Sequence, residues 1–202
     1  MDIDKRNQEL AKAAPLQIIE EALSQAKNPL ITTNFRPYEA AILHAVTRVH
    51  PDIPVLWCDS GYNTKATYRH AHQLIEQLGL HLIVETPVNT KAYRDIYLGT
   101  PAIDAPGFEQ FVQEVKLDPF HKAMDRLAPD VWFTNLRAGQ TELRSSLGIF
   151  SPHKENRLRV SPFYHWTDTD LDEYLVEHDL PIEFDYYDPT KGPEHRECGI
   201  HL

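Results

Sequence analysis

The residues best suited to covalent chemistry lie near the end of the chain, in the run Glu197-Cys198-Gly199-Ile200-His201-Leu202. Cys198 is one of only two cysteines in the sequence. The nucleophilic form of cysteine is the thiolate, which neighbouring cations favour. Three such neighbours are close in the sequence: His195, Arg196 and His201. Most lone cysteines are inert, but this one follows a polar tail, so we interpret Cys198 as a candidate nucleophile.

The same stretch offers an alternative, because His195, Cys198 and His201 are each separated by two residues. This spacing supplies part of a zinc site, yet a structural site needs four ligands and a catalytic site needs three plus water. The remaining histidines are scattered and suggest no common geometry. An iron–sulfur cluster requires four cysteines or a close substitute, and the chain has two. We therefore expect no metal and no bound cofactor.

The composition is typical of a soluble globular protein. The chain has 202 residues, 42% of them hydrophobic and 25% charged, which suits one domain with an appendage. Its N-terminus is charged and has no apolar core like that of a signal peptide, and no apolar run approaches a membrane span. A net charge of -10 argues against general nucleic-acid binding. These features predict a cytoplasmic protein that binds neither membrane nor nucleic acid.

Apolar runs typical of strands alternate with helical patterns along most of the chain. The strands are predicted at 29–33, 55–58, 81–85, 131–134 and 158–160, and the helices at 8–27, 38–49, 64–78, 89–98, 119–127 and 167–178. This alternation predicts an α/β fold with a doubly wound, mostly parallel sheet and helices on both faces. We read residues 135–156 as a long polar loop. Cys58, within an apolar strand, is interpreted as a small buried hydrophobic residue.

The predicted elements divide the chain into two parts. Residues 1–180 form the α/β nucleotide-binding domain, preceded within it by an N-terminal helical segment at 1–26. Residues 181–202 have no clear periodicity and are predicted to be a mobile tail that carries Cys198.

Ligands of open parallel sheets bind beyond the carboxyl ends of the strands, which directs attention to three polar loops. The first, Thr32-Thr33-Asn34-Phe35, could hold a phosphate through hydroxyls, N–H groups and the helix dipole, although a capped helix start explains it too. The second, Asp59-Ser60-Gly61-Tyr62, offers an acceptor, a flexible glycine and a ring, and an ordinary turn explains it equally well. We expect these loops to meet the third, 135–144, at one edge of the sheet.

The third region concentrates positive charge in an acidic chain. Its cations are Arg137, Arg144, Lys154, Arg157 and Arg159. Only two glutamates lie among them, which leaves a surplus of three positive charges. Arginine forks match phosphate and sulfate oxygens. The alternative interpretation is a solvated charged loop. The region follows a predicted strand, and this position favours an anion site.

With these loops in view, the chain resembles the phosphoadenosine phosphosulfate (PAPS) reductases of the adenine-nucleotide α-hydrolase-like superfamily. The resemblance runs from about residue 27 to the end and rests on five blocks in order: 31–44, 52–69, 132–144, 160–181 and Arg196-Glu-Cys-Gly-Ile-His201. The last block is similar to the catalytic Glu-Cys-Gly-Leu-His motif of that family.

The resemblance implies thiol-dependent reduction of PAPS to sulfite and adenosine 3′,5′-bisphosphate in assimilatory sulfate reduction. Cys198 would attack the sulfonate sulfur to form S-sulfocysteine, and reduced thioredoxin or glutaredoxin would release sulfite. The first loop, Arg137 and Arg144 would hold the phosphosulfate. Gln140, Lys191 and His201 complete the implied substrate-binding set. The resemblance also implies a homodimer.

Two features of this chain leave other hypotheses open. Arg36-Pro37 replaces a small, glycine-containing part of the family's first loop, and the tail between Asp185 and Arg196 is short. The paired cysteines of cluster-bearing adenosine phosphosulfate (APS) reductases are absent, which favours PAPS over APS. The alternatives are a superfamily relative that acts on another adenylyl compound and a non-catalytic nucleotide-binding protein.

Overall fold

The computed structural model of the chain describes residues 2–154, 157–191 and 200. In this described part, six strands form one sheet in the order β3-β2-β1-β4-β6-β5. The strands are β1 (Pro29–Thr33), β2 (Pro54–Cys58), β3 (His81–Glu85), β4 (Val131–Phe133), β5 (Phe150–Pro152) and β6 (Leu158–Val160). All neighbouring pairs are parallel except β5 and β6, which are antiparallel at one edge.

The helices connect and cover these strands. They are α1 (Ile3–Glu9), α2 (Pro15–Leu23), α3 (Glu39–Val49), α4 (Lys65–Leu78), α5 (Lys91–Tyr97), α6 (Phe108–Val112), α7 (Asp118–Leu127), α8 (Glu142–Ser145) and α9 (Asp168–Glu177). A π-helical turn, Gln113–Leu117, joins α6 to α7. Helix α4 begins at Thr64, whose hydroxyl accepts from the Thr67 N–H, and ends at Gly79 in the left-handed region with φ 60°.

Alternating side chains of the strands enter two separate cores. Ile31, Val55 and Phe133 pack against α2, α3, α4 and α9 on one face. Leu30 and its neighbours point to the other face, where they meet α7. Because successive residues of a strand point to opposite faces, one sheet with helices on both sides follows. The predicted α/β class is confirmed.

The direction of the chain through the sheet changes at β1. Strands β2 and β3 lie on one side of β1, while β4, β6 and β5 lie on the other. The register pairs Leu30 with Trp132 across β1 and β4. Such a reversal leaves a crevice at the carboxyl ends of the two diverging strands, because their following segments turn away to opposite sides.

Two predictions about individual elements were wrong. The single helix expected at 8–27 is two helices, because Pro15 cannot continue a helix from the preceding turn, and Ala14 before it is extended with ψ 148°. The stretch 135–156 was expected to be loop, yet it contains a 3₁₀ turn, α8 and the antiparallel strand β5. The sequence analysis also missed the helical segments between 108 and 117.

Candidate active site

The candidate site is a pocket at the carboxyl ends of β1, β2 and β4, at the point where the sheet reverses. Thr32, Thr33 and Asn34 line it from the end of β1, and Thr134 and Leu136 line it from the end of β4. The crevice rule therefore locates the pocket. The convergence of the loops after β1 and β4 at one sheet edge, expected from the sequence, is observed.

The loop after β1 holds two residues in an uncommon conformation. Phe35 and Tyr38 have φ of 52° and 71°, a region that bulky side chains rarely adopt and that concentrates at functional sites. The Phe35 N–H donates to Thr33 Oγ1 at 3.0 Å and the Arg36 N–H donates to Asn34 Oδ1 at 3.3 Å. The Phe35 ring is buried against Trp57, with ring centroids 4.9 Å apart. Thus two loop N–H groups are satisfied internally, and Phe35 shapes the loop from the core.

A buried carboxylate lies at the start of α3 on the pocket wall. Glu39 is 4% exposed, and Arg36 Nε donates to its Oε1 at 2.9 Å. Burial raises the pKa of Glu39, while Arg36, Arg144 and Lys191 act in the opposite direction. Arg36 also donates to the Asn135 carbonyl at 3.3 Å. The Arg36–Glu39 pair therefore ties the loop after β1 to the loop after β4.

Positive charge exceeds negative charge along the pocket. Among the residues that the structure describes, the charged lining consists of four cations, Arg36, Lys116, Arg144 and Lys191, and one carboxylate, Glu39. Arg144 is 4% exposed, and it donates to Gln140 Oε1 in a short hydrogen bond. Tyr164 supports it by donating from its hydroxyl to the Arg144 carbonyl at 2.8 Å. Fixed cations of this kind suit an anionic ligand.

Lys116 reaches the pocket from the π-helical turn, a geometry that often occurs at functional sites. Its ammonium forms a short, largely buried ion pair with Asp188 and donates to Thr190 Oγ1 at 3.0 Å. Asp188 Oδ1 in turn accepts from the Thr190 N–H at 3.0 Å. Lys116, the Thr190 contacts and their hydrogen bonds hold the pKa of Asp188 below its ordinary value against the effect of burial. This cluster fixes the chain just before Lys191.

The described part of the predicted tail, residues 181–191, lies along the pocket rim. The Asp185 carbonyl accepts from the Thr64 hydroxyl at 2.6 Å and from the Thr67 hydroxyl at 3.1 Å. Asn34 Nδ2 donates to the Tyr186 hydroxyl at 2.8 Å. The tail is thus attached to the loop after β1 and to the start of α4.

The loop after β2 is organised differently. Asp59 accepts from the Gly61 N–H at 2.9 Å, from Asn63 at 2.8 Å and from the Tyr68 hydroxyl at 2.9 Å. Tyr62 packs edge-on against Phe111 in a separate apolar cluster. The loop Asp59-Ser60-Gly61-Tyr62 is at the expected sheet edge, but it is not part of the pocket lining. Its contact with a ligand stays a prediction.

The remaining predicted cations serve other contacts. Arg137 pairs with Asp168 at 2.5 Å and lies over the Tyr38 ring, outside the pocket lining. Arg157 donates to the Met124 carbonyl at 3.2 Å, and Arg159 donates to Ser151 Oγ at 2.9 Å. Of the charge surplus seen in the sequence, Arg144 is the member that faces the pocket. The ligand contacts of Arg137 and Gln140 stay predictions.

The two cysteines are in different situations. Cys58 lies at the end of β2 on the pocket wall, and burial raises its pKa to about 12, so its thiol is protonated near neutral pH. Cys198 and His201, with His195 and Arg196, lie outside the described residues. Ile200 is described: it lines the pocket together with Cys58 and packs on the core cluster that contains Leu56 and Trp132.

No metal site is found in the described ranges 2–154, 157–191 and 200, where no group of three or more His, Cys, Asp or Glu side chains could hold an ion. The partial zinc spacing of His195, Cys198 and His201 lies outside these ranges. Within them, no helix combines the length and the hydropathy required to cross a bilayer.

Comparison with known proteins then decides the family. The family model described as phosphoadenosine phosphosulfate reductase domain matches residues 28–186. The chain belongs to the PAPS reductase family. A PAPS reductase of Xylella fastidiosa is 37% identical over 157 residues, which are 76% of this chain and 65% of that protein. The aligned part therefore spans slightly less than two thirds of the Xylella protein.

Two further comparisons cover more of the chain. A PAPS reductase of Synechococcus is 32% identical over 222 aligned positions, which cover 97% of this chain and 95% of that protein. The crystal structure of PAPS reductase from Candida auris in a phosphate complex superimposes with a TM-score of 0.78 and 18% identity, covering 89% of this chain and 87% of that one. The structural likeness establishes the fold of this PAPS reductase family member.

Sequence reasoning missed several residues of this site in the family member. Arg36, Glu39, Lys116 and Thr134 line the pocket but were not predicted to. Glu39 and Thr134 stand within or beside the recognised blocks, at a helix start and a strand end, so their positions carried a signal. Lys116 had none, because it comes from a helical segment that the sequence analysis did not predict.

Proposed function

We propose that this chain reduces PAPS to sulfite and adenosine 3′,5′-bisphosphate, with Cys198 as nucleophile and S-sulfocysteine as intermediate. The observation that carries the proposal is the cationic pocket at the sheet reversal, with Ile200 on its wall, in a chain of the PAPS reductase family. The reaction belongs to assimilatory sulfate reduction.

In the first step the Cys198 thiolate attacks the sulfur of the sulfonate group. A sulfur–sulfur bond forms, and the bond from that sulfur to the phosphate oxygen breaks. Adenosine 3′,5′-bisphosphate leaves with the electron pair of the broken bond. The cations Arg36, Lys116, Arg144 and Lys191 offset the repulsion between the thiolate and an anionic substrate. Dividing the transfer into two steps is covalent catalysis.

In the second step a thiolate of reduced thioredoxin or glutaredoxin attacks the Cys198 sulfur of the intermediate. Sulfite leaves, and a mixed disulfide joins the two proteins. The second thiol of the dithiol donor then closes the donor's own disulfide and returns Cys198 as thiolate. The donor supplies both electrons, so the reaction requires no bound cofactor and no iron–sulfur cluster.

Cys58 is a poor candidate for either role. Its pKa of about 12 leaves almost no thiolate at neutral pH. Covalent geometry supports Cys198 instead. Two residues of extended chain span at most about 7 Å, and Ile200 lines the pocket. Cys198 therefore lies only two residues along the chain from Ile200, which lines the cationic pocket.

The proposal extends to substrate and organisation. PAPS is preferred to APS, since the paired cysteines of cluster-bearing APS reductases are absent from a chain with two cysteines in total. Residues 1–180 act as the nucleotide-binding domain, and residues 181–202 act as the C-terminal tail that carries Cys198. The protein acts in the cytoplasm as a homodimer, which light scattering coupled to size exclusion would test.

The decisive experiment is to incubate the protein with PAPS without reductant and measure its intact mass. We expect an increase equal to one sulfonate group, located on Cys198 by peptide mapping. Reduced thioredoxin should then remove the adduct and release stoichiometric sulfite. The matched control is Cys198→Ser, which should bind adenosine 3′,5′-bisphosphate like the parent and form no adduct.

Three outcomes would contradict parts of this proposal. Binding of nucleotide without any adduct would favour a non-catalytic nucleotide-binding protein. An adduct with APS but not with PAPS would reverse the substrate assignment. Sulfite production by Cys198→Ser would show that the nucleophile is wrong.

A further inference from the structure

We propose that Ile200 and Asp188 are positioning residues, which anchor the chain at the pocket after and before Cys198 in the sequence. This inference rests on the proposed function and adds to it the residues that align the nucleophile.

The first attachment is apolar. Ile200 packs against the core cluster formed by Leu30, Leu56, Phe120, Ala123, Met124 and Trp132, on the α7 face of the sheet. Leu56 and Phe120 are also pocket-lining residues, as Ile200 is itself. Ile200 therefore belongs to the apolar part of the pocket lining, although it follows a polar stretch of sequence.

A partly buried imidazole lies beside the cluster on which Ile200 packs. His153 lies edge-on to the Trp132 ring, with centroids 5.0 Å apart. Burial, followed by Arg159, Arg157 and Lys154, lowers the pKa of His153 to about 4, and the backbone of Ile200 acts in the opposite direction. The imidazole is thus neutral near pH 7 and close to Ile200. His153 therefore borders Trp132, a member of the cluster against which the Ile200 side chain packs.

The second attachment is ionic. Lys116 pairs with Asp188, whose side chain is only 8% exposed, and also donates to Thr190 at 3.0 Å. The Lys191 N–H donates to the Asp188 carbonyl at 3.1 Å. These bonds place Lys191 on the pocket wall. The chain between the two attachments, residues 192–199, contains Cys198.

Both anchors are close to Cys198 in the sequence. Eight residues lie between Lys191 and Ile200, and Cys198 is only two residues before Ile200. A nucleophile that is already held near its target loses little further orientational entropy when the reaction occurs, which lowers the barrier. A displacement of 1 Å can therefore cost about 100-fold in rate. Loss of either attachment should therefore slow the transfer without weakening nucleotide binding.

The test is single-turnover sulfonation of Cys198 by PAPS, followed by quenched mass spectrometry, alongside the Kd for adenosine 3′,5′-bisphosphate. Ile200→Ala should lower the sulfonation rate about 10- to 100-fold and leave the Kd within about twofold. Ile200→Leu should restore most of the rate. The matched control is Val176→Ala on α9, where Val176 is 82% exposed, and it should behave like the parent.

Asp188→Asn tests the other end in the same assay. It should slow sulfonation about 10-fold or more, and its nucleotide Kd should stay equal or tighten, because the variant adds net positive charge to the pocket. Thermal melting of each variant separates misalignment from unfolding.

The outcomes distinguish this inference from the proposed function. If the parent protein forms no adduct, the proposed function fails. If the parent forms the adduct and Ile200→Ala forms it equally fast, the positioning role is wrong while the function stands. A tighter nucleotide Kd in Ile200→Ala would overturn the inference too, since Ile200 would then compete with the ligand.

Discussion

The loops after β1 and β2 leave the same edge of the sheet, yet only the first lines the cationic pocket. Thr32, Thr33 and Asn34 face the crevice, while Asp59 and its neighbours form a closed hydrogen-bond network with Tyr68 and Asn63. The difference follows from the strand order. The chain reverses between β1 and β4, whereas β1 and β2 are joined by α3 on one face.

This contrast explains how two similar polar loops acquire different surroundings. Where the strand order reverses, the segments that follow two neighbouring strands turn in opposite directions. The side chains of a loop at that point therefore border an open crevice. A loop one strand further out is bordered by its own helix and by the 108–117 segment, against which Tyr62 packs. Polar composition alone does not separate the two cases.

The largest expected effect on binding is that of Arg144→Ala. Arg144 is 4% exposed on the pocket wall, and a buried hydrogen bond to a charged group contributes about 1.5–3 kcal/mol. We expect the Kd for adenosine 3′,5′-bisphosphate to weaken about 10- to 100-fold, as measured by isothermal titration calorimetry. Arg126→Ala is the control, since Arg126 is an exposed arginine on α7 that pairs with Glu85. Equal affinities in the two variants would remove Arg144 from the site.

Asp59→Ala tests the other side of the comparison. It removes the acceptor for the Gly61 N–H, Asn63 and Tyr68, so the free energy of unfolding should fall by about 1 kcal/mol. The nucleotide Kd should weaken less than in Arg144→Ala, because Asp59 lies outside the pocket lining. Urea unfolding and calorimetry on the same sample measure both quantities. A loss of affinity as large as that of Arg144→Ala would make the second loop part of the binding site.

Glu39 gives the pocket a pH dependence that the second loop should lack. Its pKa is raised by burial, so protonation removes a carboxylate from the pocket lining as pH falls through that pKa. Binding of an anionic nucleotide should tighten in that direction by a few-fold, about what one partly screened charge contributes. Glu39→Gln keeps an acceptor for Arg36 and should bind more tightly with a flatter pH profile. An unchanged profile would contradict this assignment.

The smallest effect concerns a region remote from the pocket, between α3 and α9. His44 Nδ1 is 2.9 Å from the Tyr174 hydroxyl, and burial, with His178 and Arg48, lowers the pKa of His44 to about 4. Because the pKa of this histidine is lower in the folded state, the unfolded state binds the proton first as pH falls. The folded state is therefore most stable above the unfolded pKa of about 6.5, and this stability decreases as pH falls toward 4.

We expect the urea midpoint to decrease modestly over that pH interval, and less so in His44→Gln. Nucleotide affinity, corrected for folding, should be the same in both proteins. A pH profile of stability that is identical in the variant would show that other groups control it.

Parts of the site were readable from the sequence because local chemistry carries them. A strand that ends in hydroxyls and opens a helix identified Thr32 to Asn34, and charge concentration identified Arg144. The same signals also selected Arg137 and Arg159, which pair with Asp168 and Ser151. An arginine that binds a ligand and an arginine that pairs with a neighbouring side chain look the same in the sequence. Charge alone therefore could not show which arginines line the pocket.

Sequence information was sufficient for the alternation of strands and helices, the presence of two cysteines and the ordered blocks that indicate the PAPS reductase family. Tertiary structure alone decided which loops border the crevice, that Lys116 enters it from a π-helical turn, and that Ile200 returns to the sheet. The physical reason is range. Periodicity and capping are local, whereas the strand order depends on distant parts of the chain, and Lys116 pairs with a residue 72 positions away, Asp188.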